Sequence, residues 1–183
     1  MRITSGQFKG RILKAPAGAH VRPTADKVRQ AIFNILLQYG HPNGSVVLDA
    51  FCGSGALGIE ALSRGAAHCT MMDIDRASIQ QARANIDMLG LDDQTVRLLR
   101  ADATHAPDIR TGGTPAPDLI FLDPPYRKGL IAPALFSLKK GGWIADDAII
   151  VAESESEWPP NIEGFEHCTT RTYGDTSVHI FTP

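Results

Sequence analysis

Four short apolar runs, at 45–50, 68–73, 95–100 and 118–123, each end in an aspartate or meet one within two residues: Asp49, Asp73, Asp102 and Asp123. Helical patterns separate the early ones, over 56–64 and 76–89, and each stops at a glycine, Gly65 or Gly90. Such alternation predicts a parallel sheet with helices on both faces. A further helix around 130–138, halted by Gly141 and Gly142, and a fifth strand over 148–153 continue the pattern. The tail, 165–173 and 176–182, is a strand pair about Gly174-Asp175, a favourable hairpin turn that should add an antiparallel strand. The expected fold is α/β and Rossmann-like, with a mostly parallel seven-stranded sheet ending in an antiparallel hairpin strand.

The first 44 residues follow another rhythm. Residues 2–14 mix β-formers with basic side chains about Gly6 and Gly10, which predicts a small hairpin. After a Pro/Gly loop, Thr24 is the expected N-cap of a helix with Asp26 in its first turn. Val28, Ala31, Ile32, Ile35 and Leu36 give it one apolar face, and Gly40 its end. The organisation expected is a basic hairpin extension, 1–23, on one domain, 24–183. The only linker-like stretch, 111–117, is short.

Charge is distributed unevenly. The chain of 183 residues has a net charge of −2. Residues 1–29 nevertheless carry seven basic side chains against Asp26 alone, a balance of +6, leaving −8 on the rest. A basic arm on an acidic body suits contact with phosphates, although a solvated charged face gives the same count. Three cysteines without a CxxC pair argue against a disulfide framework and a cysteine zinc site, and fit a reducing, cytoplasmic setting. The six histidines lack metal-ligand spacing, so no metal is expected. No apolar run reaches the roughly 20 residues of a membrane span.

The chemistry concentrates where strands end. Asp49-Ala-Phe-Cys-Gly-Ser-Gly-Ala-Leu-Gly58 passes from strand through glycines into helix, the first βα turn at which doubly wound sheets bind ligands. Gly53, Gly55 and Gly58 fit GxGxxG, so a dinucleotide is one candidate ligand. Asp73 can bind both hydroxyls of a ribose, in NAD or in S-adenosylmethionine. Asp102 can receive an adenine amine. Asp123-Pro-Pro-Tyr126 discriminates between these ligands. Its prolines hold the loop extended, so the Asp123 carboxylate and the Pro124 carbonyl can both accept from one exocyclic amine. Tyr126 offers a face on which a flipped base can stack. Cys52 has no partner base in the sequence and is expected to be a packing residue.

These residues carry a resemblance. The run from Asp49 to Ala66 resembles the cofactor loop of class I S-adenosylmethionine-dependent methyltransferases, and Asp-Pro-Pro-Tyr resembles the catalytic loop of their amino-methylating branch. Arg2-Ile-Thr-Ser-Gly, Gly10-Arg11, the stretch from Arg22 to Asn34, Leu62-Ser-Arg-Gly-Ala, Asp73-Ile-Asp-Arg and Tyr173-Gly-Asp-Thr make the chain similar, over nearly its whole length, to the RsmD family. The resemblance implies methyl transfer from S-adenosyl-L-methionine to N2 of a guanine, position 966, in bacterial 16S rRNA. It implies a cofactor site at Asp49, Phe51, Gly53, Gly55, Asp73 and Asp102, and catalytic roles for Asp123, Pro124, Pro125 and Tyr126. Members often have Glu where Asp73 stands, so the reach to the ribose should be shorter. Lys9, Arg11, Lys14, Arg22 and Arg127 are the candidates for RNA contact. For Arg127 and its neighbour Lys128 a solvated pair is the alternative, and Arg22-Pro-Thr24 is expected to border the cofactor or target pocket.

The implied partner is 16S rRNA within a small-subunit assembly, engaged by a monomer. Two rivals remain close: an amino-methyltransferase acting on adenine N6 in nucleic acid, or on a protein glutamine. A nicotinamide-dependent dehydrogenase leaves Asp-Pro-Pro-Tyr unexplained. A non-catalytic RNA-binding module leaves the strand-end acids unexplained.

Overall fold

The structure is a computed structural model that describes residues 1–15, 23–109, 115–155 and 161–183, without the side chains of 23–25. Arg22 and part of the 111–117 stretch lie outside the described residues. The elements are α1 (Pro23–Leu36), β1 (Val46–Asp49), α2 (Ala56–Ser63), β2 (His68–Asp73), α3 (Arg76–Leu89), β3 (Val96–Arg100), β4 (Leu119–Leu122), α4 (Ile131–Lys140), β5 (Ile149–Glu155), β6 (Glu166–Tyr173) and β7 (Thr176–Thr182). They form one seven-stranded sheet in the order β3-β2-β1-β4-β5-β7-β6. The first five strands are parallel, and β7 runs antiparallel to both β5 and β6. This is the Rossmann-like α/β architecture anticipated from the strand and helix rhythm, a mostly parallel seven-stranded sheet with an antiparallel C-terminal strand.

Strand alternation splits the core into two layers. Val47, Met71, Leu119 and Phe121 face one layer, with Phe33 of α1 and Ile59 of α2. Leu48, Met72, Ile120 and Leu122 face the other, with Leu135 and Leu138 of α4 and with Trp143. Both faces of the central strands are therefore covered, which explains why they read as unbroken apolar runs. No described helix is long and apolar enough to cross a membrane.

Most boundaries shift by one or two residues, and two of the shifts have a clear physical reason. α1 begins at Pro23, so Thr24 lies inside the helix and is not its N-cap. A first-turn proline costs no hydrogen bond and has its φ already set for a helix. β5 runs two residues beyond Glu153, because β7 continues to pair with it as far as Glu155↔Thr176.

The N-terminal segment is partly core. A bridge between Arg2 and Ile12 closes it, and Ile3 and Leu13 are buried in the first layer. Its turn sits on the C-terminal end of α2. The Gln7 and Phe8 N–H groups donate to the Ser63 carbonyl and hydroxyl, and that hydroxyl donates to the Ser5 carbonyl. Gly6 permits this approach. Its φ is +80°, and a Cβ there would lie 1.7 Å from the Ser63 carbonyl oxygen. Gly6→Ala should therefore unseat the segment and lower stability by roughly 2 kcal/mol or more, read as a shifted midpoint in urea denaturation. An unchanged midpoint would mean that the segment does not depend on this contact.

Candidate functional site

The sheet reverses its order between β1 and β4, and a cleft of about 1220 Å³ opens at the carboxyl ends of the strands there. That is where α/β sheets bind ligands. The volume exceeds the roughly 300–1,000 Å³ of ordinary small-molecule sites, so it can hold two reactants at once. Of the residues expected in the site, Phe51, Gly53, Asp73, Asp102, Asp123, Pro124, Pro125 and Tyr126 line this cleft.

Asp49 and Gly55 do not line it. Asp49 is only 1% exposed, and its Oδ2 accepts the Gly58 N–H at 3.0 Å, tying the strand end to the first turn of α2. Burial pushes its carboxyl up to about 7, partly offset by the Gly58 bond and reinforced by Asp123 and Asp73. Gly55, with φ +82°, sits against Met71 and Ile59 just before α2. Gly58 admits no side chain, because a Cβ would meet the Cys69 sulfur at 2.7 Å and the Met71 methyl at 2.8 Å. The glycines thus seat the helix on the sheet, and Gly53 alone of the three faces the cleft.

Asp73 ends β2 and holds the loop from the other side. Its Oδ2 accepts the Gly53 N–H at 2.9 Å and its Oδ1 the Asp75 N–H at 2.8 Å. A carboxylate has about four acceptor sites, so two stay available toward the cleft. Asp102 accepts from both the N–H and the hydroxyl of Thr104, and its other oxygen meets His105 Nδ1 at 3.1 Å. The Thr104 hydroxyl bond, with the Thr104 N–H and His105, holds the Asp102 carboxyl below the usual range. Asp102 is therefore a charged acceptor at the rim.

Asp123, one residue past β4, is exposed into the cleft, yet the protein packed around it desolvates its carboxyl enough to raise it to about 6. It stays mostly ionised at neutral pH. The Tyr126 hydroxyl shares a 2.8 Å hydrogen bond with the Thr176 hydroxyl, which anchors the loop to the β6–β7 turn. That turn, Tyr173 to Thr176, forms one wall of the cleft. Its Gly174-Asp175 signal was visible in the sequence, but not its place over the site. Glu153 of β5 also lines the cleft and was not anticipated as a site residue. The Cys52 thiol is buried and pushed well up by desolvation and by Asp49, as suits a packing residue. Among the described residues, no group of three His, Cys, Asp or Glu side chains could hold a metal.

The described basic candidates, Lys9, Arg11, Lys14 and Arg127, do not line the cleft. Lys9, Arg11 and Lys14 are exposed, with Arg11 Nη2 donating to the Met88 carbonyl at 3.0 Å. The segment returns to the cleft at its ends, since Met1 and Ala15 line it. Arg127 is exposed, with φ +61°, and its N–H points to Glu155 at 3.4 Å. Arg29, counted in the +6 balance, is 4% exposed and paired with Asp26 and Glu60, so its charge is spent internally.

Burial of Asp49 has a thermodynamic sign. A folded-state pKa raised from 3.8 to about 7 gives stability that is complete below pH 4 and lost as pH rises through 7. Asp49→Asn keeps an acceptor for Gly58 without the charge. Its stability relative to the parent should rise by about 2 kcal/mol between pH 5 and pH 8 in urea titrations without ligand. A pH-independent difference would show that Asp49 does not titrate in this range.

Comparison with known proteins gives a consistent picture. The profile of a family described as "Conserved hypothetical protein 95" matches residues 1–182. The chain is 41% identical, over 157 residues, to Ribosomal RNA small subunit methyltransferase D of Escherichia coli, covering 86% of this chain and 76% of that protein. It is 41% identical, over 186 aligned positions, to the Bacillus subtilis protein YlbH, provisionally described as an rRNA methyltransferase, covering 99% and 98%. Among solved structures, the E. coli protein yhhF, provisionally described as a methyltransferase, superposes with a TM-score of 0.81 at 34% identity, covering 100% of this chain and 97% of that one.

Proposed function

The chain belongs to the conserved hypothetical protein 95 family, the family of the RsmD methyltransferases, and we propose that it methylates N2 of a guanine in 16S rRNA, using S-adenosyl-L-methionine. The observation that carries this reading is the convergence of Asp123-Pro-Pro-Tyr126 with Asp73 and Asp102 in one cleft large enough for cofactor and base together. The residues fit the cofactor: Asp73 retains two acceptor sites for a ribose diol, and Asp102 is a charged acceptor suited to an adenine amine. Phe51 and Gly53 supply the adjoining wall and a close backbone approach. Asp49 and Gly55 act by shaping the loop. The cofactor's sulfonium supplies an already activated methyl group, so no strong general base is required.

This chain's contribution is alignment. Asp123 and the Pro124 carbonyl accept the two hydrogens of the amine, which draws the nitrogen lone pair out of conjugation and aims it along one direction. Pro125 keeps the loop extended. Tyr126 stacks on the base, and its tie to Thr176 fixes the ring. Asp123, or water, takes the proton released after transfer. The target implied by the family resemblance is the guanine at position 966, in a small-subunit assembly, methylated in the cytoplasm by a monomer. Lys9, Arg11, Lys14, Arg22 and Arg127, with the extension over residues 1–23, would hold the phosphate backbone.

Two experiments test this. Asp123→Ala should keep cofactor affinity and melting temperature near those of the parent, while single-turnover methyl transfer to small-subunit particles falls roughly a hundredfold. The product nucleoside, identified by mass spectrometry, should be N2-methylguanosine. A parental rate in the variant, or another product, would overturn the reading. Replacing Lys9, Arg11 and Lys14 together with Ala should weaken particle binding and lower the slope of log K against log salt by roughly two to three units. Parallel salt titrations of equal height would remove the segment from the RNA interface.

A further inference from the structure

Asp123 has a neighbour that the mechanism above does not use. β4 and β5 are parallel, with Leu122 opposite Ala152, so Asp123, just past the end of β4, and Glu153, within β5, each follow the last paired residue of adjacent strands. Strands in a sheet are about 4.8 Å apart, and residues in register point to the same side. Both side chains line the cleft beside Pro124 and Tyr126. Glu153 also lines the smaller hollow of about 320 Å³ behind the Asp-Pro-Pro-Tyr loop. Among the described residues, neither carboxylate has a hydrogen-bond or ion-pair partner, whereas Asp73 and Asp102 are both held by backbone or side-chain donors.

Two unpartnered carboxylates side by side are costly. Desolvation, followed by the charge of Asp123 and only partly offset by the charge of Arg29, holds the Glu153 carboxyl well above the usual range. What relieves such a pair is a ligand edge with adjacent donors. Guanine has that edge: its N2 amine stands next to N1–H. Adenine does not, because the positions flanking its N6 amine, N1 and N7, are both acceptors. With the reactive amine on Asp123 and Pro124, the neighbouring ring position falls to Glu153. An N1–H donor favours the ionised form of Glu153, which accepts from guanine N1–H and, as a carboxylate, repels an adenine N1 lone pair.

We propose that Glu153 is a specificity-determining residue that accepts the N1–H of the target base, selecting guanine over adenine. This rests on the reading of the cleft as an N2-methylating site. It also bears on the adenine N6 rival, which Asp-Pro-Pro-Tyr alone leaves open.

The test uses 2-aminopurine, which keeps the N2 amine but has an acceptor at N1. Small-subunit particles are assembled from 16S rRNA ligated to carry either guanine or 2-aminopurine at the methylated position. Parent protein should methylate the guanine particles with a kcat/KM roughly ten- to a hundredfold higher, the value of a hydrogen bond to a charged acceptor. Glu153→Ala should lower the guanine rate by a similar factor and leave the 2-aminopurine rate within about threefold of the parent, so that the preference collapses. Glu153→Gln, nearly isosteric, should also narrow the preference, because its amide can donate to an N1 lone pair. If Glu153 only supports the fold, both substrates lose the same factor and the preference persists, which overturns the proposal. A parent protein that puts its methyl on another atom overturns the underlying N2 reading, and the proposal with it. The two failures are distinguished by the product nucleoside of the parent protein.

Discussion

Glu60 sits in the middle of α2 with 1% of its surface exposed, and among the described residues five donor groups converge on its carboxylate. They come from three parts of the chain: the Thr4 N–H and hydroxyl and the Ser5 N–H, Arg29 Nε on α1, and Arg64 Nε just after α2. Arg29 continues the network to the Arg2 carbonyl and Asp26, and Arg64 to the Thr4 hydroxyl. A buried ion network is weak evidence for net stability, since desolvation offsets much of its attraction. Its consequence is geometric. Only one placement of the N-terminal segment and α1 against α2 satisfies all these groups, and leaving Glu60 unpaired would be strongly unfavourable.

That placement matters because α2 begins at the glycine loop. Asn85 of α3 extends the constraint to the loop itself. Its buried amide donates to the Ser54 carbonyl and to the Lys14 carbonyl, and accepts the Lys14 N–H. One side chain thereby joins the glycine loop to the end of the basic segment. Together Glu60 and Asn85 turn a 15-residue stretch with little regular structure into a fixed wall, which reaches the cleft at Met1 and Ala15.

Much of this was legible because every local signal agreed with the global pattern. Apolar strands covered on both faces, glycine stops at Gly65 and Gly90, and the Gly174-Asp175 turn each had one good structural solution. The strand-end acids followed from the same frame. What escaped the sequence depended on pairing at a distance. Arg29 looked like an arm charge, since nothing local shows that Glu60, 31 residues away, neutralises it. Asp49 looked like a ligand contact, because a strand-end carboxylate can turn toward the cleft or into the helix, and only the seating of Gly58 decides between them. Glu153 closed the fifth strand just as other acids closed theirs, but its meaning requires the register of β5 on β4.

The acids impose a final constraint on how nucleic acid can approach. Asp73, Asp102, Asp123 and Glu153 face one cleft, and Asp49 lies under its floor, so the cleft repels phosphate. A strand cannot lie along it with its backbone inside. On the proposed reading, a base must leave the stack and enter alone, presenting amine and imino hydrogens to carboxylates while its phosphates stay outside. The exposed Lys9, Arg11 and Lys14 stand on the segment whose ends form the cleft rim, where a displaced backbone would run. Placing exposed basic side chains on the N-terminal segment and acids in the cleft thus separates two tasks that one surface cannot perform together. Backbone attraction requires positive charge, and gripping an amine requires negative charge. On that same reading, the field that draws a cationic cofactor into the cleft keeps the rest of the RNA out of it.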